Sequence, residues 1–597
     1  MRRVATKSGS RLALGAMLAL ASATLARAQD ATDPPTRAAR VSFVDGAVSL
    51  QPAGSDGWIG ELLNQPLTTG DRLWSDADSR AEVELGSTAV RLGADTGVEL
   101  LNVDDQTLQL KLASGTLGLR VRSLGRDQNV EIDTPLAALT VLAPGEYRID
   151  LDEVANLMRV EALSGQIAAT AGRDAASLHA GEQATYSDQG LSYAGVAALP
   201  PGDAFDQWAA ERDRREDRAA SAQFLSRETT GYEDLDEYGT WQTVETYGPV
   251  WVPVVAVSWA PYRNGHWAWV GPWGWTWVDA APWGFAPFHY GRWLFLGERW
   301  CWAPGPRRGA PSYAPALVGW VGNGPGLGWF PLGWNEVYVP GYRSSEHYVR
   351  QLNLTNLHVS NEYMSTYLAS HAAEPTPQRK VPFRNQAVPG AISATTRAAF
   401  ASAQPVEMHP AEGPREAFAH LAAAGAPPPI VPTAQSAGRP PPSVPGVDAQ
   451  FWHQPVLARS VPPPAPPSFE QQRRAVAANG GIAPGLRRGG SPRTDIVRAS
   501  PPTDAPVRPV AARTPGATRP AGPPATAPVR SVAASAPPRA PAADRPPPER
   551  PPEASGREAP PARAPAPRPA EREAPRPAAR PARPSEPHAR AEPKGAR

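Results

Sequence analysis

Fifteen of the chain's 19 tryptophans fall between Trp241 and Trp334, and that crowding limits what the stretch can fold into. The rings recur in "GHWAW" (265–269), "GWTW" (274–277), "GRW" (291–293) and "RWCW" (299–302). Side chains alternate along an extended strand, so Trp-x-Trp puts both indoles on one face. The residues between them, Ala268, Thr276 and Cys301, are small and leave the other face thin. Gly and Pro beside the rings supply tight turns, and no helical period runs through the block. The pattern predicts a compact antiparallel β domain over 231–345, with 346–410 as its extension.

Burying one indole removes roughly 150–250 Å² from water, worth about 4–6 kcal/mol at ~25 cal/mol per Å². Six to eight such rings would make most of a small core, so most of the tryptophans are expected to be structural. Any rings left open would stack on sugar or peptide. The candidate binding surface is Trp267, Trp269, Trp273, Trp283, Tyr290 and Trp293, with Trp273 and Trp283 best placed because Pro and Gly flank them.

Residues 40–195 alternate with period two. In "RAEVEL" (80–85), Ala81, Val83 and Leu85 share one face and Glu82 and Glu84 the other, and Gly86-Ser87 turns the chain into "TAVRL". The rhythm continues through "LQLKL" (108–112), "NVEID" (129–133), "EYRIDL" (146–151) and "MRVEAL" (158–163). Short, evenly spaced strands with glycine turns predict a β-sandwich or β-roll. Residues 203–228 differ. Asp203 is placed to cap a helix, Phe205, Trp208 and Ala209 form one apolar stripe, and "ERDRREDR" reads as a solvated helical connector whose charges pair along the helix.

The ends set the expected compartment. Arg2, Arg3, Lys7 and Arg11 precede an apolar run from Leu12 to Leu25, and Ala26-Arg27-Ala28 fits a cleavage site. This run of 14 residues falls short of the roughly 20 that span a bilayer, so residues 1–28 are expected to be a signal peptide and the protein to be exported to the periplasm or cell envelope, with no transmembrane helix left after its removal. The single cysteine, Cys301, excludes an intrachain disulfide and reads as a small packed residue. The net charge of +1 hides a split between an acidic body and a basic C-terminal part. From 411 to 597, Pro, Ala and Arg dominate, and a disordered tail is expected.

"GDRLWSDADSRAEVELGSTAVRLGADTGVEL" (70–100), "EALSGQIAA" and "LHAGEQATY" resemble a FecR-type domain. That resemblance implies a periplasmic β domain. It does not imply the FecR sensor role, which needs a cytoplasmic segment and a membrane span where this chain has a cleavable leader. "WAPYRNGHWAWV" (259–270) and "GWFPLGWNEVYVPGYR" (328–343) resemble an uncharacterised Trp-rich domain that follows FecR-like domains in exported proteobacterial proteins.

No residue pattern supports catalysis. His266, His289 and Asp279 lack metal-ligand spacing, and the acidic run Glu233 to Glu237 lacks the glycine and terminal glutamate of a calcium loop, so it reads as a charged linker. No cofactor, metal or catalytic residue is expected. Interleaved acids in 211–218 and the expected export argue against nucleic acid. The reading is a mainly β, non-catalytic envelope protein, with envelope polysaccharide, peptidoglycan or an envelope protein as its partner. The alternative is a carbohydrate- or peptidoglycan-active enzyme that uses a Trp-lined surface.

Overall fold

Alternation in a strand leaves two faces to cover, and this chain covers both. The computed structural model describes residues 31–498 apart from 172–173, 188–198, 323–325, 372–382, 409–417, 419, 425–428, 448, 484–485 and 488–495. The described residues belong to one compact unit, Met1–Gly516. The expected signal peptide and the tail beyond 498 lie outside them.

Thirteen strands between Ala39 and Ser187 form one mixed sheet that rolls on itself. Arg80–Leu85 and Thr88–Leu92 make the expected hairpin. Three strands reach 15 residues, Thr107–Val121, Ala138–Asp152 and Leu157–Ala171, each continuing well past the short run read from the sequence. Glycine makes this length possible. Gly115 and Gly165 take positive φ, and a Cβ on Gly145 would lie 2.3 Å from the Ser164 carbonyl oxygen. Asn129–Asp133 runs parallel to the start of Thr107–Val121, and the other pairings in this sheet are antiparallel. Inside the roll, Leu, Val and Ile fill an aliphatic core that includes Leu73, Leu92, Leu117, Ile149 and Ile167.

Glu82 and Glu84 alternate outward as expected but are 2% and 4% exposed, because the helix Ala204–Asp217 and the Trp-rich lobe close over them. This corrects the reading of 203–228 as a solvated connector. Asp203 caps the helix through the amides of Phe205 and Asp206. The helix charges turn to the sheet: Arg212 pairs with Glu82 at 2.6 Å, and Asp213 takes both Arg91 and Arg122, at 2.8 and 2.9 Å. The sequence showed the alternating signs within the helix and gave no sign of the arginines facing it.

The Trp-rich lobe is built of small antiparallel pieces: Gly239–Val244, Gly248–Pro253, Arg299–Ala303 and Arg292–Leu296 in one sheet, and the Gly265–Val270/Gly274–Asp279 hairpin beside it. Val318–Val321, Gly326–Pro331 and Ser393–Thr396 make a third sheet, so a strand from the 346–410 extension completes it.

The tail was expected to begin at 411, and the described residues correct that boundary. The described residues between Phe418 and Ala483 run as a strap across both lobes. Trp452 is 2% exposed and packs on Trp58, while Arg72 lies 5.3 Å from its ring centre. Lys111 Nζ donates to the Trp452 and Gln454 carbonyls, both at 2.8 Å. Glu131 accepts from the amides of Arg459 and Ser460. Farther along, the Phe469 amide donates to Gly54, opening a helix at Phe469–Ala478. Single apolar anchors spaced by prolines have no helical or strand period, so composition alone hid them. Proteinase K is expected to leave a resistant fragment that still contains Trp452 and Val476, read by mass spectrometry. A fragment ending near residue 410 would contradict the strap.

Candidate functional site: the cleft between the lobes

Trp-x-Trp places four rings on one face of the 265–279 hairpin. Trp267 sits opposite Trp277 and Trp269 opposite Trp275, each pair edge-to-face with centroids 5.5 Å apart. Ala268 and Thr276 lie opposite each other on the thin face, both fully buried. Of the block's 15 tryptophans, 12 are buried and three, Trp241, Trp259 and Trp334, are half-buried. Six indoles donate within the fold, among them Trp251 to Leu235, Trp302 to Tyr290 and Trp329 to Tyr262.

The six candidate surface residues fall in this core: Trp267 1%, Trp269 6%, Trp273 2%, Trp283 4%, Tyr290 3% and Trp293 1% exposed. They do not form an open stacking face. The flanking Pro and Gly, expected to leave Trp273 and Trp283 open, instead let other chain close over them. Trp273 meets Tyr313 at 4.8 Å, and Trp283 packs on Trp251 and Phe288. Trp267, Trp269 and Trp293 keep buried indole N–H groups with no acceptor among the described residues. Cys301 packs with Val250, Val252 and Leu294, and burial raises its thiol pKa.

The acidic run is not a linker. Glu233 and Asp234 are each 4% exposed and meet Arg40, which is completely buried. Arg40 donates to Glu84 Oε2 and Glu233 Oε1, both at 2.9 Å, to Asp234, and to Asn64 Oδ1 at 3.2 Å. Asn64 in turn donates to the Asp279 and Ala281 carbonyls at 3.0 and 2.7 Å, which ties the roll to the Trp hairpin. Arg215 adds a second cation on Asp234 at 2.7 Å. Burial opposes charge on Arg40, and Asp234, Glu84 and Glu233 outweigh it, so its pKa rises. Burial pushes Glu233 well above the usual carboxylate range, helped by Glu84 and Asp234 beside it. Sequence reading missed this junction. Its signals were an arginine leading the first apolar strand and four acids in five residues with no local partner.

His289 and Asp279 do not converge on a metal. His289 is fully buried with Nδ1 2.8 Å from the Ala314 carbonyl oxygen, and burial lowers its pKa to about 3. Asp279 accepts from Trp277 Nε1 at 3.0 Å, and burial raises it to about 7. Among the described residues, no three His, Cys, Asp or Glu side chains group to hold an ion.

A cleft of about 1100 Å³ lies between roll, Trp-rich lobe and strap. Pro34–Thr36 and Asn102–Gln106 form the roll side, and the Gly271–Pro272 turn and Trp269 form the Trp-rich side. His347, Tyr348 and Pro463–Pro467 also line it. Of the six candidate residues, only Trp269 borders it. Among the described residues, its acidic lining is Asp33, Asp71, Asp104 and Asp105, with no lysine or arginine. Asp71 accepts from the Ala53 and Thr68 amides at 2.7 and 2.8 Å, and burial raises it to about 7.

Against known proteins, no curated protein matches this chain. Two crystal structures of a candidate anti-sigma factor from Parabacteroides distasonis ATCC 8503, at 2.50 and 1.65 Å resolution, are similar to 23% and 24% of this chain, at 16% and 15% identity and a TM-score of 0.19. The match spans 62% and 64% of those chains, under two thirds of each. Residues 232–336, within the Trp-rich stretch, match the model of a family of unknown function, DUF6600.

Proposed function

We propose that this is a non-catalytic, exported protein of the cell envelope: a binding or scaffold module, associated with signalling, in which a FecR-like β domain and the Trp-rich domain act as one body. The cleft carries this reading. Three parts of the chain build it together, and its rim has groups that recognise a ligand. The charged residues elsewhere in the junction are spent on ion pairs within the fold. Both the binding reading and the enzyme alternative had counted on an open face of rings, and the burial of those rings withdraws that surface from each.

The test has two arms. An alkaline phosphatase fusion after residue 40 reports export, and co-sedimentation of the mature chain with peptidoglycan sacculi or lipopolysaccharide reports envelope binding. Phosphatase activity together with saturable sedimentation is expected. An inactive fusion would overturn the compartment, and turnover of sacculi by the purified chain would overturn the non-catalytic reading.

A further inference from the structure

We propose that the cleft between the lobes is a binding site for an extended, arginine- or lysine-bearing polypeptide segment of a partner protein. The inference rests on the binding-module reading and names the ligand class for it.

Charge comes first. Asp33, Asp104 and Asp105 line the cleft beside Asp71, whose pKa burial raises to about 7, and among the described residues no lysine or arginine lines it. Asp33 and Asp105 lie at the rim, where each already accepts from a backbone amide and a hydroxyl, of Ser345 and Thr36 respectively. Those bonds hold the carboxylates in place, and Arg37 nearby, which donates to the Asp104 and Asp105 carbonyls at 3.4 and 3.2 Å, offsets only part of their combined charge. Opposite charge across a concave, low-dielectric wall both attracts and orients a cation.

The wall chemistry narrows the ligand further. Proline has no N–H, so the Pro34–Pro35 and Pro463–Pro467 stretches bring few backbone donors to compete with a ligand's donors for acceptors on the wall. Pro rings, Val270 and the edge of Trp269 supply apolar surface between the polar groups. Carboxylates and apolar walls together complement a donor-rich head on an aliphatic stem, which is the build of arginine and lysine.

Size separates a peptide from a small cation. About 1100 Å³ exceeds the roughly 300–1,000 Å³ of most small-molecule sites. The acids are spread over separate segments, Asp33 before the first long strand, Asp71 at a turn and Asp104–Asp105 at another, as suits successive side chains of an extended chain. The apolar part gives affinity, and the carboxylates give preference for basic over acidic sequences.

The experiment uses the mature full-length chain and a fluorescein-labelled nonapeptide of alternating arginine and proline, read by anisotropy at low and moderate salt. Saturable binding that weakens with salt is expected, with at least tenfold preference over the peptide carrying glutamate for arginine. Asp33→Asn with Asp105→Asn keeps an acceptor oxygen at each position and removes two charges, so binding should fall about tenfold with the melting temperature unchanged. Ala475→Arg, on the strap helix at the cleft wall, should weaken binding similarly by adding a like charge. Equal binding of the glutamate peptide, or variants that bind like the parent, would overturn the proposal. Saturation by spermidine with no peptide binding would also overturn it, in favour of a small-cation site. A chain that is exported and sediments with sacculi yet ignores the peptide overturns this inference and leaves the proposed function standing.

Discussion

Replacing Trp275 and Trp277 together by alanine is expected to unfold the Trp-rich lobe. Trp277 is fully buried and meets Trp267, Tyr262 and Trp329, and Trp275 lies 4.4 Å from Phe400 and donates to the Ile430 carbonyl. Truncating a core aromatic costs about 3–5 kcal/mol, set against about 5–15 kcal/mol for the whole stability of a typical domain. The two rings occupy one cluster, so their costs couple, and the summed loss approaches the whole. Leu and Ile are scarce around them, which leaves little to collapse into the space. The readouts are the thermal midpoint and the loss of near-ultraviolet dichroism. A double variant that melts like the parent would mean that these rings are not core.

Arg40→Met is expected to destabilise the protein by about 3–5 kcal/mol near neutral pH, because it leaves buried carboxylates without their cation. Glu84, Glu233 and Asp234 all meet this guanidinium at the junction of the roll with the Trp-rich lobe. Without it, burial disfavours the ionised form of these carboxyls. The penalty is then fully felt when they are ionised and shrinks as falling pH protonates them. Adding Glu84→Gln and Asp234→Asn to Arg40→Met should recover part of the loss, since the residual charge goes too. Chemical denaturation at two pH values checks this. An Arg40→Met protein as stable as the parent, with no pH dependence of the difference, would contradict the junction.

The strands and the Trp hairpin were legible because their signals are local. Alternation at 80–85 and the spacing of Trp267, Trp269, Trp275 and Trp277 each fix a face without knowledge of any distant residue. What the sequence hid depends on partners far away along the chain. Arg40 meets Asp234 across 194 positions, and Lys111 meets Trp452 across 341. A charged helix reads as solvated until arginines on a sheet are found facing it, and a proline-rich stretch reads as tail until Trp452 is found seated on the roll. The same gap misplaced the candidate site. Pro and Gly beside Trp273 and Trp283 do leave ring faces open locally, and Tyr313 and Trp251 close them from elsewhere.

The central claim is that the tryptophans are a core shared by the folded body, and iodide quenching of native tryptophan fluorescence tests it most directly. Twelve of the 15 indoles in the block are buried, so the account predicts blue-shifted emission and weak quenching, both reverting to free-tryptophan behaviour in denaturant. Red-shifted native emission, quenched by iodide as strongly as in the unfolded chain, would contradict it.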